Sequence, residues 1–107
     1  CARLRVAVAA PPADVRAAAR RALASTGGLT GSPEAVADTP TGALATVRLG
    51  PFLDDVAVEV DNAPRGAVLW VRSASRVGRS DLGVNRWRAR RIVDAVAGWL
   101  PEGAVQR

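Results

Sequence analysis

From Ala67 to Arg86 the chain changes period across one short turn, and this constrains its fold more than any other stretch. Ala67 to Ser75 reads as a strand leaving a sheet; Gly78 and Gly83 then bracket Arg79-Ser80-Asp81-Leu82, and an amphipathic helix follows. In that helix Asn85, Ala89, Ile92, Val93, Val96, Trp99 and Leu100 share one face, so Trp99 is expected in the core, and Pro101 ends the helix. With 107 residues the chain has room for one small domain, taken as 1–107 with a short anchor segment at 1–2, around a single core. No apolar run approaches the length needed to cross a bilayer.

The preceding chain supplies the rest of a sheet and a second helix. Arg3 to Val8 alternates basic and apolar residues, the pattern of a half-buried strand. Pro12 suits a first helical turn, and Asp14 complements the positive end of the helix dipole. Val15, Ala18, Ala19, Ala22 and Leu23 form an apolar stripe, Arg16, Arg20 and Arg21 are expected to be a solvated face, and Gly27-Gly28 closes the helix. After a loop over 29–33, Glu34 to Asp38 is a weak strand and Ala43 to Leu49 a better one. The clearest strand has Val56, Val58 and Val60 on one side and Ala57, Glu59 and Asp61 on the other. The expected class is α+β: an antiparallel sheet of four to five strands, both helices on one face, in the order strand, helix, strands, helix. The other sheet face would be open. If Leu69 and Val71 point to the helices, Trp70, Arg72 and Arg76 point outward with Arg48 and Glu59; a shift of one residue would put Trp70 in the core instead.

Fifteen basic residues, all arginine, outnumber ten acidic ones, and the net charge is +5. Such a surplus permits anionic partners, although the arginines are dispersed along the chain as on a solvated surface. The arginine-only, alanine-rich composition suggests a high-GC bacterial source. There is no histidine, lysine or tyrosine, and one cysteine. That excludes histidine and Schiff-base chemistry and a Cys/His metal site within one chain, and leaves Ser73 and Ser75 without a base to activate them. No cofactor is implied, and no nucleic-acid motif is present.

The turn before the last helix offers backbone N–H groups and Arg79 to an anion, but it has neither a Walker loop nor a dinucleotide fingerprint, and Ser80 or Asp81 is expected to cap the helix. Asp54, Asp55 and Asp81 with Arg72, Arg76 and Arg79 are expected to form a network at the helix entry; carboxylates held by arginines suit structure better than acid catalysis. Asn85, on the apolar face, must hydrogen-bond if buried, most simply to the preceding turn. Trp87 lies opposite, beside Arg86, Arg90, Arg91 and Asp94, a set suited to a membrane interface or a protein partner, with stacking on Arg91 as the plainer alternative.

Cys1 is the first residue given, as in a mature bacterial lipoprotein whose signal peptidase cuts before a lipidated cysteine; a chain boundary is the alternative. The runs Asp54-Asp55-Val56, Val71 to Gly78 and Ser80 to Arg86 resemble the domain-of-unknown-function 1499 family, over about Pro51 to Leu100, with the first half similar in layout only. The resemblance implies a bacterial envelope protein and supplies no catalytic residues. Together these features lead us to expect a non-enzymatic domain, lipid-anchored through Cys1 on the extracytoplasmic (periplasmic) face. It would meet a membrane protein or complex through Trp70, Trp87 and the arginines around them. The competing expectation is a small-anion or lipid-headgroup binder using Arg72, Arg76 and Arg79.

Overall fold

The structure, a computed structural model, describes residues 2–25, 32–76 and 83–106. Its elements are β1 (Ala2–Val8), α1 (Pro12–Ser25), β2 (Ser32–Asp38), β3 (Gly42–Leu49), β4 (Phe52–Ala63), β5 (Gly66–Ser75), α2 (Val84–Gly98) and β6 (Val105–Gln106). All six strands form one antiparallel sheet in the order β2-β3-β4-β5-β1-β6. The expected α+β class is therefore observed, with six strands instead of four to five, and with a strand after the last helix. A pair of residues carries no readable period, and β6 forms because the turn at 101–104 returns the chain along β1, where the Ala9 N–H bonds the Ala104 carbonyl at 2.8 Å. Ala2 already belongs to β1, paired with Ser73.

The parity left open at Trp70 is resolved by register. Residues directly opposite on antiparallel strands share a face, and Val58 pairs with Val71, Val60 with Leu69, all buried. Trp70 faces the other way, opposite Glu59 and Arg5, and Arg72 lies opposite Ala57 and Arg3. Helix α1 covers β4 and β3, α2 covers β5 and β1, and the two helices also pack on each other. The core is almost wholly valine and alanine, with Leu23, Leu69 and Ile92 its largest aliphatic side chains. The side chains of Ala18, Ala19 and Ala22 end at Cβ, which lets α1 lie close on the sheet.

Close approach also explains Gly42, where an added Cβ would stand 1.9 Å from the Val58 carbonyl oxygen. Beside it Arg20 departs from the expected solvated face. Its Nε donates to the Gly42 carbonyl at 2.9 Å and its Nη2 to that of Thr39 at 2.6 Å, tying α1 to the β2–β3 turn. Gly27 and Gly28, expected to end α1, lie outside the described residues.

Trp99 also departs from expectation. It is the C-cap of α2, 53% exposed, with the Arg21 guanidinium 5.0 Å from its ring centroid. The helical period that aligned it with Val96 does not extend past the last turn, whereas Leu100 still packs against the core.

Candidate functional site

The inner face of the sheet changes from apolar to polar at the end where β4 begins and β5 ends. Asp54 lies two residues before Val56 and Ser73 two after Val71, so both point toward the helices, and both are buried. Helix α2 starts over them. Asn85 and Arg88, spaced i and i+3, fall on its buried stripe with Ala89 and Ile92. Arg88 Nη1 donates to Asp54 Oδ2 at 2.7 Å, and also lies 3.0 Å from both Ser73 Oγ and Asn85 Oδ1, so its two hydrogens are shared among three acceptors. The Ser73 hydroxyl donates to Asn85 Oδ1 at 2.6 Å, and Asn85 Nδ2 donates to Ser75 Oγ at 3.0 Å. The amide orientation follows, since Oδ1 meets two donors and Nδ2 an acceptor. Arg88 and its carboxylate partner are 0% and 5% exposed at the side chain. Among the described residues Asp54 Oδ1 is buried without a hydrogen-bond donor.

This cluster corrects the expected network. Asp54 and Asp55 are neighbours in sequence and lie on opposite faces of the sheet. Asp55 faces outward and takes a bidentate grip from Arg76, whose Nε and Nη2 lie 3.0–3.1 Å from its oxygens. That hydrogen bonding, and then the carboxylate charge, hold the Arg76 pKa above its ordinary value. Arg72 joins neither carboxylate and stands across the outer face beside Arg3. Arg79, Ser80 and Asp81 lie outside the described residues. The N-cap of α2 is Gly83, in the left-handed conformation at φ 82° with no side-chain cap. Among the described residues Asn85 bonds to Ser73 and Ser75 of β5 and to Arg88, and the turn expected to serve it lies outside them. Arg88 had not been singled out, and Ser73 only as a serine without a base, although the signals for a buried polar pair are plain: an arginine at i+3 from Asn85, and a serine in phase with Val71.

The outer sheet face is a second candidate. Among the described residues no element covers it, and a depression of about 400 Å³ opens there with Ala57 at its floor. Leu44, Arg3, Arg72, Trp70 and Glu59 stand around it. Trp70 is oriented by Asp61, which accepts its Nε1–H at 3.0 Å, and by Arg5, 5.6 Å from its ring centroid. The small floor and the aromatic and mixed-charge rim, Arg3 and Arg72 against Glu59 and Asp61, can receive an apolar side chain from a partner.

The outward side of α2 is the third. Trp87 is 43% exposed with Arg91 stacked 5.7 Å from its centroid, the plainer alternative weighed for it, while Arg86 and Arg90 are exposed beside it. Among the described residues no cluster of His, Cys, Asp or Glu has metal-binding spacing, and no helix is long and apolar enough to cross a membrane.

No curated protein and no solved structure matches the chain. One family does, described as a protein of unknown function, and the match takes in the first strand and α1 as well as the motifs around 54 and 71–86. The first half is thus part of the family pattern and not merely similar in layout. With residues 4–96 matched, the chain belongs to the DUF1499 family.

Proposed function

We propose that the chain is a non-enzymatic domain of the bacterial cell envelope, lipid-anchored through Cys1 on the extracytoplasmic face, and that it acts as an interaction or accessory subunit of a membrane protein complex. The observation that carries the reading is the uncovered outer sheet face, with a half-buried tryptophan set among Arg3, Arg5 and Arg72. A six-stranded sheet with helices on one side alone leaves a broad surface whose aromatic and arginine content matches that of protein interfaces. The absence of catalysis is supported by the chemistry of the polar cluster. Ser73 is held between Arg88 and Asn85, is fully buried, and has no histidine or lysine in the chain to activate it. Small-anion binding at Arg72, Arg76 and Arg79 has less support, because Asp55 already neutralises Arg76 and Arg72 stands apart from it on the outer face, beside Arg3.

The test is a photo-crosslinking amino acid placed at Leu44, exposed on the outer face, and separately at Ala24, exposed on α1. In native membranes the Leu44 position is expected to give a discrete heavier adduct and the Ala24 position none. No adduct at Leu44, or equal labelling from both positions, contradicts the reading.

A further inference from the structure

One end of this molecule differs in character from the other. Strands β1, β2 and β4 and helix α2 begin there, and β3 and β5 finish there, as the pairs Ala2 with Ser73, Ser32 with Arg48, and Leu49 with Phe52 fix. The Asp54–Arg88 ion pair pins the first turns of α2 to the same end. Two large aromatic side chains are left in water here. Phe52, beside the Gly50-Pro51 turn, is 57% exposed, and Trp87 in the first turn of α2 is 43% exposed. Phe52 has the strand parity of Asp54 and therefore projects on the side of the sheet that carries α2.

The charges at this end sort into two groups. Arg48 and Arg76 are neutralised by Glu34 and Asp55. Arg3, Arg86 and Arg90 are exposed and have no ion-pair partner among the described residues. At the opposite end, where α1 starts and β6 pairs with β1, the exposed charges include Asp14, Asp61 and Glu102 against Arg65. The long axis is 41 Å, several screening lengths at physiological salt, so a flat anionic surface interacts with one end at a time.

We propose that the end bearing Phe52, Trp87, Arg3, Arg86 and Arg90 is a membrane-docking surface for an anionic lipid bilayer. Separated aromatics ringed by free guanidinium groups suit the headgroup layer. There the ring sits at the polar–apolar boundary, and each arginine near the surface meets lipid phosphate. A flat protein interface would instead favour a contiguous apolar centre. The proposal deepens the lipid-anchor reading and rests on it. Acyl chains on Cys1 would leave the domain next to Ala2, at this end, and an anchor of modest strength gains stability from a second, basic attachment.

The experiment uses the full chain with Cys1→Ser, so that no acyl group contributes, and sedimentation with vesicles of phosphatidylglycerol and phosphatidylcholine or of phosphatidylcholine alone. Binding to the anionic vesicles only is expected. Arg86→Glu with Arg90→Glu should lower the partition coefficient by more than roughly twentyfold, about fivefold for each arginine removed and more for the reversed charge. Phe52→Ser with Trp87→Ser should abolish co-sedimentation, and Arg65→Glu at the opposite end should leave at least half of it. The side chains of Phe52, Arg65, Arg86, Trp87 and Arg90 are all exposed, and thermal unfolding of each variant verifies that the fold is kept. Equal binding to both vesicle types, or equal losses from Arg65→Glu and from the Arg86, Arg90 pair, overturns the proposal. The acylation state of native Cys1 is measured separately, so failure here leaves the anchor itself to be judged by that mass.

Discussion

At position 88 the buried stripe of α2 carries a guanidinium where an aliphatic side chain would ordinarily sit. The cost of moving that charge out of water is offset by the Asp54 carboxylate at 2.7 Å and by Ser73 and Asn85. Removing one partner leaves the other charged and dry. Arg88→Met is therefore expected to cost about 3–5 kcal/mol in urea unfolding, while Arg88→Met with Asp54→Leu recovers most of that loss, since no buried charge remains. A single substitution costing less than about 1 kcal/mol, or a double one no better than the single, contradicts this account of the pair. Much of the cluster was legible beforehand. Asn85 falls on the apolar stripe, where burial obliges it to hydrogen-bond, and the period-two rule places Asp54 with Val56 and Ser73 with Val71. The pairing of Asp54 with Arg88 was not, because that contact joins residues 34 apart and depends on how α2 lies over the sheet. Trp99 failed for another reason. Helical spacing assigns a face only while the helix lasts, and residue 99 is already its C-cap.

Among the elements, β1, α1, β3, β4 and β5 declared themselves through alternation or a 3.6-residue stripe. Alanine and valine make that signal clear and the resulting core small-grained. Strand β2 was weaker because it is an edge strand whose residues are nearly all exposed, with an irregularity between Pro33 and Ala35 that blurs its alternation. Strand β6 was invisible, its two residues being ordered by β1. The contact between α1 and the β2–β3 turn also escaped notice, since Arg20 sits where a solvated arginine would. Its two bonds to backbone carbonyls, with Asp38 3.6 Å away, make it a clamp on that turn. Arg20→Ala is expected to cost about 1–2 kcal/mol, in the range for charged hydrogen bonds partly open to solvent. Faster amide exchange in the β2–β3 turn than in β4–β5 should accompany the loss. Unchanged exchange at the turn would mean that the turn holds itself. Arg20→Lys should retain part of the effect, because an ammonium supplies the charge without the two-pronged geometry.

Taken whole, the molecule is a sheet with one face buried under two helices, the other open, and its two ends unlike in charge. The open face and the Phe52–Trp87 end adjoin at Arg3, and a domain held against a bilayer by that end would present the rest of the open face to a neighbouring membrane protein. This arrangement would give the proposed anchor a mechanical meaning, because it would fix which way the tryptophan and arginine face looks. It also makes the state of Cys1 the central question. The direct measurement is the intact mass of the protein taken from its native membrane, with fragmentation to locate any added group. The account predicts a diacylglyceryl group on the Cys1 sulfur and a further acyl chain on its amine. An unmodified Cys1 thiol, or a native chain that continues on the N-terminal side of residue 1, would contradict it.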